Sequence, residues 1–194
     1  MINWFFQYKT KRLIDSEINV EDINKSKKIL FCLFTRYGDT IIDLVVIQEF
    51  IEEHPDKEYV VLCPKQMKPY VDEIIPDIKC IGISKRNWIE IFKIDSLLKK
   101  WEPDIGFNPW SNGLESCYFL SYCKKYRFYK NFFKPKIINH YQIVRRYLNL
   151  KEKDWKINEL VFKANFKKIL ICPQSTDSLR TISQDQLDQI INSV

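Results

Sequence analysis

The sequence predicts an α/β domain: a parallel sheet with helices on its faces. Three observations carry that prediction. Residues 28–34 are a near-continuous apolar run, the pattern of a strand buried on both faces. Residues 40–54 follow with apolar positions at helical spacing. The alternation of short apolar run and helical stretch then repeats along the chain, which is how βαβ units read.

The elements follow in order. The first helix carries Ile41, Leu44, Val45, Ile47 and Ile51 on one broad face and ends at His54-Pro55-Asp56. A second strand covers 59–63 and is stopped by Pro64; a short helix at 66–75 precedes Pro76; a third strand covers 78–83. The helix expected at 87–101 has Ile91, Ile94, Leu98 and Trp101 on one stripe and Asn87 as its N-cap. A strand at 104–107, a helix at 111–125 and a short strand at 126–129 come next. Residues 140–150 read as a helix with Tyr141, Val144 and Leu148 inward and Arg145 and Arg146 outward.

Four segments result: an N-terminal arm at 1–27, a Rossmann-like domain at 28–150, a charged linker at 151–166, and the start of a second α/β domain at 167–194. The last contains an apolar strand at 168–172 and a capping box, Ser183 with Gln186, opening a helix. One strand and one helix cannot bury a core alone. The expectation is therefore a truncated second domain, or two elements added to the first sheet.

Composition narrows the function. With 45% hydrophobic and 29% charged residues the chain belongs with folded globular domains rather than disordered ones. Its formal charge of +6 suits an anionic ligand or membrane surface, and equally no partner. Only four glycines occur, and no GxGxxG, P-loop, HExxH or GxSxG motif, which argues against a dinucleotide oxidoreductase or NTPase. The six cysteines form no CxxC pair, and the two histidines, His54 and His140, are far apart in sequence, so no metal site is expected. Cys32, Cys63 and Cys172 read as small buried hydrophobes in a reducing compartment. No signal peptide and no membrane-length apolar stretch is seen, so a cytoplasmic location is expected. Trp4, Phe5 and Phe6 ahead of Lys9, Lys11 and Arg12 fit either a short helix at a membrane surface or an arm packed on the domain; packing is the preferred reading.

In a parallel sheet ligands bind at the carboxyl edge of the strands. The loops there are 35–39, 64–68, 84–87 and 108–115. In the first, Gly38 permits a positive-φ turn, and Asp39 serves either as a helix cap or as a general base. In the last, Asn108, Trp110 and Ser111 suit sugar stacking and hydrogen bonding, although turn chemistry explains them equally well. After the strand at 168–172, Ser175 and Thr176 can hydrogen-bond phosphate oxygens and Arg180 can neutralise them. Residues 126–136 are aromatic and basic; core packing explains them better than contact with nucleic acid or glycolipid.

Taken together, these pieces resemble glycosyltransferase family nine, the ADP-heptose:lipopolysaccharide heptosyltransferases. The resemblance rests on the strand ahead of Thr35-x-x-Gly38-Asp39, the helix ending in His54-Pro55 and the second strand. It continues through EPDIGFNPWSNG and HYQIVRRYLNL to KKILICPQSTDSLRTISQDQLDQII. It implies the N-terminal half of a two-domain GT-B fold, with acceptor on the first domain and donor on the second. Asp39 then matches the catalytic base; Ser175, Thr176 and Arg180 match the residues holding the donor diphosphate, where the family more often has Lys at the position of Arg180. Thr35, Gly38, Asn108, Trp110 and Ser111 fall in acceptor-side loops. The implied chemistry is inverting and metal-independent, with no cofactor. The implied partners are an ADP-heptose-like nucleotide-sugar and a glycolipid or oligosaccharide acceptor of lipopolysaccharide core type. Peripheral contact with the inner face of the cytoplasmic membrane is permitted, and nucleic acid is not expected. A non-catalytic Rossmann-like binding module, or an inactive remnant, is the other reading.

Overall fold

The computed structural model describes residues 6, 17–34, 37–84, 87–109, 114–128, 140–151, 153 and 188. The chain divides into two units, Met1–Trp155 and Lys156–Val194, and every element below lies in the first. In chain order they are α1 Val20–Lys25, β1 Lys28–Cys32, α2 Tyr37–Glu53, β2 Glu58–Pro64, α3 Lys68–Ile74, β3 Lys79–Ile83, α4 Trp88–Trp101, β4 Ile105–Asn108, α5 Leu114–Leu120, β5 Lys125–Phe128 and α6 His140–Tyr147. A 3-10 turn, Lys65–Met67, leads into α3.

The five strands form one sheet in the order β3-β2-β1-β4-β5, and every pairing is parallel. The fold is thus Rossmann-like α/β. Side-chain alternation sorts the strands between two cores. On β1, Ile29 and Phe31 face a layer built from α2, α3 and α6, with Phe50, Val71 and Tyr147 packed beside them. Leu30 and Cys32 face the opposite layer, with Ile91, Ile94 and Leu98 of α4 and Phe119 of α5. A central strand covered on both sides has no solvent face, which is why residues 28–34 are apolar without alternation.

Two details fix the packing. A Cβ on Gly106 of β4 would lie 2.5 Å from Cys123 Sγ and from Leu120 Cδ2, so glycine lets the end of α5 close onto the strand. Tyr147 of α6 bridges two strands: its hydroxyl accepts from the Asn108 amide at 2.8 Å and donates to the Arg127 carbonyl. The Arg127 guanidinium in turn donates to the carbonyls of Tyr147 and Ile18, tying β5 to α6 and to the segment before α1.

Most expected elements are present, and several differ in physically informative ways. The arm at 1–27 contains α1, whose Asn19 and Asp22 form a reciprocal capping box. Phe6 is buried against Tyr118 and Phe119. The helix expected at 111–125 is described only over Leu114–Leu120, because a turn at 121–124 and then β5 follow. Asn87 caps α4 as expected, its Oδ1 accepting from the amides of Ile89 and Glu90.

Arg145 does not point outward. It is 4% exposed, forms an ion pair with Glu49 of α2, and donates twice to the Lys151 carbonyl. It follows Tyr141 by four residues, so it shares that residue's helix face toward α2. A carboxylate and a carbonyl there compensate its burial. Arg146 is exposed.

The expected strand at 168–172 and helix from 183, the residues Thr35, Trp110, Ser111, Ser175, Thr176 and Arg180, the 129–136 segment and nearly all of the 151–166 segment lie outside the described residues.

Candidate functional site

The strand order locates the site. From β1 the chain moves outward to β2 and β3, then returns to lay β4 on the other side of β1. The connections leaving β1 and β4 therefore diverge, opening a crevice at the carboxyl ends of these two strands. The connection from β1 runs directly into α2, whose first residues are Tyr37, Gly38, Asp39 and Thr40. The connection from β4 begins at Asn108 and Pro109, both buried. Of the residues singled out from sequence, the fold thus brings Gly38 and Asp39 to the same crevice as Asn108.

Their local geometry corrects two expectations. Gly38 does not adopt positive φ; it is the second residue of α2, with nothing within 4 Å of where a Cβ would sit. Asp39 is not the helix cap but lies within the first turn, where the unpaired backbone amides favour a carboxylate. It is partly exposed, beside the open space at Gly38.

One turn further along α2 lies Asp43, which is fully buried. Its Oδ1 is 2.9 Å from Nε2 of His140, the first residue of α6. An ionised carboxylate only accepts, so in that state the ring nitrogen carries the proton. Asp43 Oδ2 has no hydrogen-bond partner among the described residues. Burial pushes the Asp43 carboxyl up to about 6, against the pull of His140 and with a further push from Asp39. Two carboxyl groups and an imidazole thus converge along one side of α2: Asp39 reaches the crevice and Asp43 lies beneath it.

Sequence reasoning missed this pair. The apolar face expected for the first helix was Ile41, Leu44, Val45, Ile47 and Ile51. In the fold Ile41 is 43% exposed, and the buried stripe is Thr40, Asp43, Leu44, Val46, Ile47 and Phe50. Those positions follow helical spacing, so the signal was an aspartate inside an otherwise apolar stripe. His140 carried no comparable signal, since its partner lies 97 residues away.

On the other side of β1 a cavity of about 460 Å³ opens at the same edge, lined by Pro64, Lys65, Gln66, Ile83 and Ser84. Lys65 and Gln66 are exposed there. A second cavity, about 430 Å³ and bordered by Tyr59, Ile78 and Trp101, involves the starts of β2 and β3 and so lies at the opposite edge from the carboxyl pair.

Among the described residues no group of three or more His, Cys, Asp or Glu side chains is arranged to hold a metal ion. Cys63 and Cys80, on neighbouring strands, bring their sulfurs to 3.6 Å as free thiols. Among the described residues no helix is long and apolar enough to cross a membrane. No protein-family model, no curated protein and no solved structure matches the chain.

Proposed function

We propose that this chain carries the acceptor-side lobe of an inverting, metal-independent glycosyltransferase of the heptosyltransferase type, with Asp39 as the general base. The observation that carries the reading is the position of Asp39: a carboxylate in the first turn of α2, at the strand-order switch point between β1 and β4, beside the open space at Gly38. In this reading a sugar hydroxyl entering that crevice meets the Asp39 carboxylate.

In this reading Asp39 takes the proton of the acceptor hydroxyl as its oxygen bonds to the anomeric carbon of the donor. The bond from that carbon to the nucleoside diphosphate breaks, and the diphosphate leaves with the electron pair. Attack opposite to departure inverts the centre. Asn108, implied by the resemblance as an acceptor-side residue, is buried at the end of β4 and would support the floor of the crevice rather than face the acceptor. Thr35, Trp110 and Ser111 are the acceptor-side partners implied by the resemblance, and Ser175, Thr176 and Arg180 those for the diphosphate. The donor is of ADP-heptose type and the acceptor a lipopolysaccharide core or related surface glycan, in a GT-B arrangement.

The test is sugar transfer from ADP-heptose to a core oligosaccharide by a longer protein in which this chain is continued by a complete donor-binding domain, measured with Asp39 intact and as Asp39→Ala and Asp39→Asn. Loss of a general base costs about 100-fold or more in rate, and both variants are expected to fall at least that far while melting like the wild type. Transfer by Asp39→Ala at the wild-type rate would remove Asp39 from the mechanism.

A non-catalytic binding module is the second reading, favoured by one observation: helices of the first unit cover both faces of its sheet, so that unit holds a core of its own. A cooperative melt unmoved by ADP, UDP or ADP-heptose, with no transfer, would select it.

A further inference from the structure

Helix α4 has more apolar surface than its packing uses. Ile91, Ile94 and Leu98 are buried against the sheet, which is all that a surface helix needs. Yet Ile89 is 67% exposed and Phe92 56% exposed, on the opposite side of the helix. Phe92 stacks on Trp88, with ring centroids 5.9 Å apart, so these residues form a contiguous apolar ridge rather than scattered single side chains. The ridge occupies the first turns of α4, and α4 begins at the carboxyl edge of β3, the edge that carries the crevice.

The charge on the same face is of one sign. Lys93, Lys99 and Lys100 are exposed along it. The two acids of the helix are turned away: the Glu90 carboxylate accepts from the Ser84 amide at 2.8 Å, and Asp95 is buried, accepting from the Tyr118 hydroxyl at 2.6 Å. An aromatic and aliphatic ridge bordered by lysines is the pattern of an interfacial helix on an anionic bilayer. The aromatic N-terminal arm is a weaker candidate for that role, because Phe6 is committed to the core.

We infer that the outer face of α4 is a membrane-docking surface: Trp88, Ile89 and Phe92 enter the headgroup region of an anionic bilayer while Lys93, Lys99 and Lys100 pair with its phosphates. The inference stands on exposure and charge alone and does not depend on sugar transfer.

Co-sedimentation of the full 194-residue chain with vesicles tests it. Binding is expected to vesicles of equal parts phosphatidylglycerol and phosphatidylcholine, weakening as salt rises, with little binding to phosphatidylcholine alone. Ile89→Asp and Phe92→Asp are each expected to lower the partition about tenfold or more. Neutralising Lys93, Lys99 and Lys100 to Gln is expected to lower it about 100-fold, since each lysine near an anionic surface contributes about a factor of five. All substituted positions are exposed or border the ridge, and unchanged melting temperatures verify folding. The inference fails if the wild type ignores anionic vesicles, binds neutral ones equally, or is matched by the variants. It also fails if the lipid-free chain is a dimer that Phe92→Asp dissociates, because the ridge then serves a second copy.

Discussion

Nε2 of His140 lies 2.9 Å from Oδ1 of Asp43, joining the first turn of α6 to the second turn of α2 across 97 residues of sequence. The contact buries a carboxyl group one helical turn below Asp39 and leaves its second oxygen without a partner among the described residues. The layer that carries the crevice is therefore held by a titratable pair rather than by apolar packing alone.

The first prediction follows from that burial. The folded Asp43 carboxyl is raised from 3.8 to about 6, so its protonated form is the one the fold favours. Its stabilising effect is fully present below about pH 4 and is lost as pH rises through about 6. At about 1.4 kcal/mol per pKa step, the loss is about 3 kcal/mol. Asp43→Asn has no such titration, and its stability relative to the wild type should improve by about that amount between about pH 4 and about pH 7. Urea unfolding across that range measures it; parallel profiles for the two proteins would show that Asp43 does not titrate in the fold as stated.

Arg145 supplies the second. Its guanidinium is buried against Glu49, with Tyr141 donating to the same carboxylate at 2.7 Å. Arg145→Met removes the buried cation and leaves only Lys153, 3.7 Å away and half-exposed, beside that carboxylate, and should cost about 2–4 kcal/mol. Adding Glu49→Gln to the Arg145→Met variant should recover part of the loss. A neutral effect of Arg145→Met in thermal melts would mean that the pair contributes nothing.

Two glycines give opposite expectations. Gly106→Ala forces a methyl against Cys123 Sγ and Leu120 Cδ2, each 2.5 Å away, and should destabilise by about 1–3 kcal/mol. Gly38→Ala meets nothing within 4 Å and sits in a helix, where alanine is preferred by up to about 1 kcal/mol. Its melting temperature should rise. If the crevice holds a sugar acceptor, the same methyl should raise KM for that acceptor, separating stability from binding in one variant.

The cap of α4 supplies the last. Asn87 Oδ1 accepts from the Ile89 amide at 3.1 Å and the Glu90 amide at 3.4 Å. Asn87→Ala should cost about 1 kcal/mol, and Asn87→Asp should cost little. Equal losses in both, read by chemical denaturation, would show that the cap is not what stabilises the helix start.

Much of this architecture was legible in the sequence by itself. The β1 and β2 runs, the stripe of α4, its Asn87 cap and the alternation of strand and helix all follow from local periodicity, which depends only on neighbours within a few residues. So did the position of Asp39, because a short connection after a buried strand leads to the carboxyl edge of the sheet. Three features were decided only by the tertiary structure. The Asp43–His140 contact, the burial of Arg145 and the exposed ridge on α4 depend on which face of each helix meets which neighbour. Helical spacing defines a stripe but not its partner, and a polar residue within a stripe reads as solvent-facing until a partner from a distant segment compensates its burial. Strand order decided the rest: β4 returning to the far side of β1 sets the carboxyl end of β4, with Asn108, beside that of β1, a consequence of topology that residue spacing does not encode.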